Sequence, residues 1–254
     1  SDMRDLEALG RKCRRAGVKP VVTAVLEGVP GPTLKDYADA SGVDLIVMAS
    51  HSRGEIARVL LGSVTDYLTR HTEIPVFVVK NDIRMTDPDE AVFNRIVVPM
   101  DGSEAAEKIL PQVAALATTP YTTVNLVQVL TPETYAQKKI MDPVLPWWES
   151  EFNRADDYLE HTAAYLREHD IAVVTDVILA EDVPGAILKH AKQYRSDLLA
   201  LTTSGMGGIK RLVLGSVADA IVRKSPVSVL VLHPSRSAAL QLTPSEGASS
   251  CATT

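Results

Sequence analysis

Two short polar segments in the C-terminal part of the chain have residue types that suit an anionic ligand. Asp101-Gly102-Ser103 directly follows the apolar run NRIVVPM at residues 94–100. The second segment runs from Thr202 through Gly205 to the pair Gly215-Ser216. A glycine lets a phosphate approach the backbone, and the first amides of a helix attract an anion. The candidate site residues from these two segments are Asp101, Gly102, Ser103, Thr202, Gly205, Gly215 and Ser216.

Short apolar strands alternate with amphipathic helices around these two segments. The pattern predicts strands at 94–100, 124–130, 172–179, 198–202 and 227–232, and helices at 104–117, 152–168, 184–194 and 213–223. Such alternation is typical of βαβ units, whose right-handed crossovers place helices on both faces of a parallel sheet. The predicted fold class is α/β: an open, parallel, five-stranded, Rossmann-like sheet. Ligands of such sheets bind at the carboxyl ends of the strands, where the strand order reverses.

The chain also contains an internal repeat. The run RVLLGSV begins at Arg58 and RLVLGSV begins at Arg211, an offset of 153 residues. At the same offset, Val76–Val79 matches Val229–Leu232. Several co-linear matches of this kind indicate a duplicated domain.

The two copies are unequal in length. Residues 94–234 are predicted to form a complete domain, and residues 83–93 a linker. Residues 1–82 are predicted to form a partial domain with strands three to five only, at Pro20–Leu26, Asp44–Met48 and Pro75–Val79. Because strands one and two have no counterpart there, we expect the partial copy to expose a sheet edge. Residues 235–254, rich in Ser, Ala and Thr, are predicted to be disordered.

Composition narrows the class of protein. Hydrophobic residues make up 46% of the 254 residues but aromatic residues only 5%, which favours aliphatic buried strands. The net charge of −6 argues against a general nucleic-acid binder. No apolar run is long enough to span a membrane, no signal peptide opens the chain, and Cys13 and Cys251 form no disulfide framework. We therefore expect a soluble cytoplasmic protein that binds neither nucleic acid nor membrane.

The motifs resemble those of the universal stress protein family. Its ATP-binding members share the pattern G-x2-G-x9-G-[S/T] and an Asp after strand one. Gly205, the nine residues after it and Gly215-Ser216 match the second part of the pattern, and Asp101 has the position of the Asp. Thr202 replaces the first glycine, which puts triphosphate binding in doubt because a β-branched side chain narrows the pocket or demands another backbone angle.

The resemblance implies a fold like that of the adenine nucleotide alpha hydrolases and ATP or another adenine nucleotide as ligand, with Mg²⁺ as a candidate companion. By resemblance, Asp101 contacts the adenosine, the backbone near Val129 faces the adenine, and Gly205, Gly215 and Ser216 contact the phosphates. The resemblance also implies that the last strands, Val76–Val79 and Val229–Leu232, pair in a pseudo-dimer within one chain or in a homodimer.

The first copy departs further from the family pattern. Ala49 and Ser52 stand where the two leading glycines are expected, and the Asp after strand one has no counterpart. His51, which lies between them, has no evident acidic partner in the sequence and is best interpreted as a surface-loop histidine. We therefore predict one nucleotide site, in the second copy, and a role in dimerisation for the first.

Structural alternatives exist for each candidate residue. Gly215-Ser216 is equally typical of a helix start chosen for capping and close packing, and Asp101 of a residue that stabilises a turn. The leading functional hypothesis is a stress-response protein that binds an adenine nucleotide without robust catalysis. A scaffold that binds no nucleotide is the alternative. Slow ATP hydrolysis is a weaker third hypothesis, because the sequence has no Walker A motif and no evident general base.

Overall fold

The computed structural model describes residues 2–49, 61–80, 93–117, 119–132, 147–203 and 214–234. Most of the predicted linker, the predicted disordered tail at 235–254 and the candidate site residue Gly205 lie outside the described residues. So do His51 and Ser52 of the first copy.

The described strands form one sheet that joins the two copies. The strands are β1 Ile46–Ala49, β2 Val76–Val79, β3 Arg95–Met100, β4 Thr123–Leu130, β5 Ala172–Leu179, β6 Leu198–Thr202 and β7 Ser228–Leu232. Their order in the sheet is β1-β2-β7-β6-β3-β4-β5. Every neighbouring pair is parallel except β2 and β7, which are antiparallel. Since β7-β6-β3-β4-β5 is a parallel sheet of the second copy, the predicted five-stranded fold is confirmed.

Helices cover both faces of this sheet. They are α1 Asp2–Arg15, α2 Pro30–Ala40, α3 Ser63–His71, α4 Glu104–Glu107, α5 Leu110–Leu116, α6 Trp147–Arg167, α7 Val183–Tyr194 and α8 Ser216–Lys224. Buried side chains of α4, α5 and α6 fill the core on one face. Those of α3, α7 and α8 fill the core on the other. None of the helices in the described ranges has the length and apolar character that a membrane span requires.

The predicted helix at 104–117 is two helices rather than one. α4 ends at Glu107 and α5 begins at Leu110, with Pro111 in the first turn of α5. Proline has no amide hydrogen, so Pro111 cannot donate to the carbonyl of Glu107 four residues earlier. The helix therefore restarts at the position where a proline is best tolerated.

The predicted strand at Pro20–Leu26 is wrong. Residues 21–27, which lie between α1 and α2, have no assigned secondary structure. In the second copy the corresponding strand, β5, pairs with β4 over eight residues. Among the described residues the first copy has no counterpart of β4, and none of the described strands lies beside residues 20–26 to form a ladder with their backbone.

The predicted pairing of the two last strands is confirmed within one chain. β2 and β7 run antiparallel with Val76 opposite Val231 and Val78 opposite Val229. Val78 and Val229 are fully buried. The junction between the copies is therefore a continuous part of the sheet and of its core, whereas a homodimer through these strands stays a prediction.

Four charged residues from α3 and α8 also connect the copies. Asp66 and Arg70 of α3 lie 153 residues before Asp219 and Arg223 of α8, so they occupy equivalent positions of the repeat. Within each helix the arginine Nε donates to the aspartate, at 3.2 Å in α3 and 3.1 Å in α8. Between the helices, Arg70 pairs with Asp219 and Arg223 pairs with Asp66. Each carboxylate thus accepts hydrogen bonds from two guanidinium groups, in a ring that we call the α3–α8 charge ring.

The residue after each last strand is ionisable, with Lys80 in the first copy and His233 in the second. The ammonium of Lys80 donates to the carbonyl of Val222 near the end of α8 at 3.1 Å, and burial lowers the pKa of Lys80. Burial also lowers the pKa of His233 from its ordinary value, an effect that the charge of Glu73 opposes more weakly.

His233 should make the protein less stable as the pH falls below its ordinary pKa of 6.5. Because the imidazole accepts a proton more readily in the unfolded chain than in the fold, the unfolded state binds more protons in this range. Urea unfolding between pH 7.5 and 5.5 should show this loss, and the curve of His233→Gln should be flatter. Identical pH curves for the two proteins would contradict the assignment.

Candidate functional site

The two polar segments lie at neighbouring positions of the sheet. β3 and β6 are adjacent and parallel, with Ile96 opposite Leu198 and Val97 opposite Leu199. On its other side β3 pairs with β4, so the strand order reverses between β3 and β6. The segment after β3 and the segment after β6 therefore leave the same edge of the sheet side by side. The two segments are therefore neighbours at the strand reversal, as predicted, and their role as a ligand site stays a prediction.

Asp101 organises the turn after β3. Its Oδ1 accepts hydrogen bonds from the amide of Ser103 at 3.1 Å and from the hydroxyl of Ser103 at 2.6 Å. The Ser103 hydroxyl in turn accepts from the amide of Ala106 at 3.1 Å and so caps α4. Gly102 has a φ of +83°, which a residue with a side chain rarely adopts. The turn-stabilising role considered for Asp101 is therefore present, and contact with an adenosine stays a prediction.

The surroundings of this turn are acidic. Glu104 and Glu107 lie in the first turn of α4, directly after Asp101 and Ser103. Burial raises the pKa of the Tyr158 phenol, and the charges of Glu107 and Asp101 raise it further. Negative charge on this side of the crevice would repel a phosphate.

The other side of the crevice is the start of α8. Gly215 is the N-cap residue; its amide donates to the carbonyl of Thr203 at 2.6 Å and its carbonyl accepts from the amide of Asp219 at 2.8 Å. A Cβ on Gly215 would lie 3.1 Å from the Thr203 carbonyl oxygen. Close packing against this oxygen therefore explains why the residue is a glycine. Because the Gly215 amide is already bonded, the donors available to a phosphate are the amides of the first turn, beginning at Ser216.

Thr202, which replaces the first glycine of the family pattern, lies in regular strand geometry. It is the last residue of β6 and is opposite Leu232 of β7. In the described ranges a positive φ at a non-glycine residue occurs only at Asp170 and Arg195, so Thr202 does not need glycine's backbone freedom. Its side chain is largely buried, with 9% of its surface exposed.

Two polar residues beside these segments, Thr203 and Gln128, were not among the candidate site residues predicted from the sequence. Thr203 is 3% exposed, and among the described residues its hydroxyl has no hydrogen-bond partner. Gln128, next to the half-buried Val129 on β4, has a buried side-chain oxygen that is likewise without a partner in the described part of the chain. The Gln128 side-chain nitrogen would lie 3.9 Å from a Cβ on Gly102. A glutamine in an otherwise apolar strand end was a signal that the sequence offered.

The first copy has a helix start that matches the start of α8. Gly62 is the N-cap of α3, and its carbonyl accepts from the amide of Asp66 at 2.9 Å, as Gly215 accepts from Asp219. Ser63 and Ser216 are both exposed at the first position of their helices. Ala49 ends β1 where Thr202 ends β6. The start of α3 is therefore a matched control position for substitutions at the start of α8.

Comparison with known proteins assigns the family. The sequence profile of the universal stress protein family matches residues 2–80 and 93–233. The chain belongs to the universal stress protein family. A universal stress protein of Mycobacterium tuberculosis is 27% identical over 231 residues, which cover 90% of this chain and 73% of that protein. A Staphylococcus saprophyticus member is 30% identical over 143 residues, which cover 56% of this chain and 84% of that protein.

Solved structures give the same fold. A universal stress protein from Archaeoglobus fulgidus superposes with a TM-score of 0.66 and 20% identity, over 90% of this chain and 76% of that one. The family profile matches two segments, one in each copy of the repeat, which fits a tandem universal stress protein.

Proposed function

We propose that this universal stress protein binds an adenine nucleotide in the crevice of its second copy, without robust catalysis. The observation that carries the proposal is the start of α8. The amide of Gly215 donates to the carbonyl of Thr203, which directly follows β6 at the edge where the strand order reverses. A helix start in that position is a ready-made site for a phosphate.

In the proposed complex the two sides of the crevice have different tasks. The Asp101-Gly102-Ser103 turn and the backbone near Val129 receive the nucleoside, where the acidic residues of α4 keep phosphates away. The α8 start with Ser216, together with Gly205 of the family pattern, receives the phosphates. Thr202 has a side chain where the family pattern has a glycine. We expect this side chain to weaken the binding of ATP more than the binding of ADP or AMP, which have fewer phosphates.

Any Mg²⁺ in the proposed complex is bound through the phosphates of the nucleotide and not by a set of protein side chains. In the described part of the chain no three His, Cys, Asp or Glu side chains converge as they would around a protein-held metal ion. The carboxylate of Asp101, in the turn after β3, accepts two hydrogen bonds from Ser103. A role in the stress response and a cytoplasmic location are further parts of the proposal, and they rest on family membership.

A scaffold without a nucleotide is the second candidate function. The β2–β7 pairing and the α3–α8 charge ring support it, because both join the copies without involving the crevice. Isothermal titration of the folded protein with ATP, ADP and AMP separates the two candidates. We expect saturable heat with at least one of them. No heat with all three nucleotides, from protein that circular dichroism shows to be folded, would favour the scaffold.

A further inference from the structure

A cavity of about 220 Å³ lies between α4, α5 and α6, and we call it the α4–α6 cavity. The residues that line it come from the end of α4, the start of α5 and the middle of α6: Glu107, Leu110, Pro111, His161, Thr162 and Tyr165. None of them is a candidate residue of the nucleotide site. The cavity is therefore a separate place at which to look for a ligand.

The break between α4 and α5 shapes one wall of this cavity. Pro111 makes the helix restart at Leu110, so the end of α4 and the first turn of α5 both face α6. On α6, His161 and Tyr165 are four residues apart and therefore lie on the same side of the helix. The volume is below the roughly 300–1,000 Å³ of pockets for drug-sized ligands, so the cavity suits a small molecule.

The polar groups of the wall favour a ligand that donates hydrogen bonds. A glutamate carboxylate only accepts, and in the described part of the chain that of Glu107 forms no salt bridge. The hydroxyl of Thr162 donates its one hydrogen to the carbonyl of Tyr158 at 2.8 Å, so it offers a ligand only its lone pairs. The face of the Tyr165 ring attracts cations.

The electrostatic potential beside the cavity is negative. Tyr158 lies one turn before Thr162 on α6. Burial raises the pKa of its phenol, and the charges of Glu107 and Asp101 raise it further because they oppose a second negative charge nearby. The same charges would repel an anionic ligand and attract a cationic one.

We propose that the α4–α6 cavity binds a small organic ammonium ion that carries an apolar group. The ammonium donates to the carboxylate of Glu107 and to the hydroxyl of Thr162, and the apolar group packs against Leu110, Pro111 and Tyr165. A metal ion fits less well, because no three His, Cys, Asp or Glu side chains converge in the described ranges. This proposal is independent of the proposed nucleotide site.

Three ligands with the same aromatic ring and different head groups test the proposal on the full chain. 2-Phenylethylamine carries the ammonium, 2-phenylethanol is uncharged and phenylacetate is an anion. Each is titrated into the protein while amide chemical shifts are recorded. We expect saturable shifts at residues 107–111 and 161–165 with the amine. The alcohol and the acid should bind at least about tenfold more weakly, because they lack the charge-assisted hydrogen bond to Glu107.

Glu107→Gln should weaken binding of the amine by about tenfold, since it removes the charge and keeps the shape of the side chain. Asp156→Asn is the matched control. Asp156 is exposed on α6, and because it lies nine residues, or two and a half turns, before Tyr165, it is on the opposite side of that helix. It removes the same charge and should change the affinity by less than about twofold.

Thermal melting establishes that both variants are folded before their affinities are compared. No saturable binding of the amine to the wild type would overturn the proposal. Equal affinities for the amine and the alcohol would do the same, since the cavity would then recognise only the ring. So would equal affinities of Glu107→Gln and the wild type, or shifts that lie only outside residues 107–111 and 161–165.

Discussion

Ser216→Asp is expected to weaken adenine-nucleotide binding by about tenfold or more, which is about 1.4 kcal/mol, without lowering stability. Ser216 is exposed at the first position of α8, so the substitution disturbs no core packing. A carboxylate at a helix start stabilises the helix by about 0.3–1 kcal/mol. The same carboxylate would repel a phosphate bound at the first amides of α8, by roughly 1–4 kcal/mol at a separation of about 4 Å.

Ser63→Asp is the matched control for this prediction. Ser63 has the same exposure and helix position in α3, with Gly62 before it as Gly215 precedes Ser216. Ser63→Asp should stabilise the protein by about as much as Ser216→Asp does and should leave the nucleotide affinity unchanged. Calorimetric titration and thermal melting of both variants give the two readouts. Equal affinity in Ser216→Asp and the wild type would exclude the α8 start as the phosphate site even if another part of the chain binds nucleotide.

The sequence predicted the architecture of the second copy because its signals are local. The bounds of β5 and β6 are those expected from the apolar runs at 172–179 and 198–202. The repeat then located the junction, since Val76–Val79 and Val229–Leu232 are equivalent and both apolar on either face. The fold class and the meeting of two loops at one sheet edge followed from strand order, which βαβ connections restrict to few arrangements.

The sequence-based predictions failed for residues whose local structure depends on contacts with distant parts of the chain. Residues 20–26 have the composition of a strand, but a strand also requires a partner for its backbone groups, and none is described beside them. Thr203 and Gln128 were missed for a related reason. Whether a polar side chain is left without a partner depends on what the fold packs around it, and the sequence alone does not show this.

Asp219→Ala, which removes one carboxylate of the α3–α8 charge ring, should lower the free energy of unfolding by about 1–3 kcal/mol. Asp219 accepts hydrogen bonds from Arg223 of its own helix and from Arg70 of the other copy. Without it, two guanidinium groups share the single carboxylate of Asp66. The four side chains are about 30% exposed, so solvent screening keeps the effect below that of a fully buried pair.

Asp39→Ala is the control for the charge ring, because it removes an exposed i,i+4 pair with Lys35 inside a single helix. Its expected cost is about 0.5 kcal/mol or less. Asp66→Ala should resemble Asp219→Ala, and the double variant should deviate from the sum of the two by at least about 0.5 kcal/mol because the carboxylates share both arginines. Urea unfolding at low salt and in 1 M NaCl should show that salt reduces the Asp219→Ala effect. Additive losses no larger than that of Asp39→Ala would mean that the copies are joined by the sheet and its core alone.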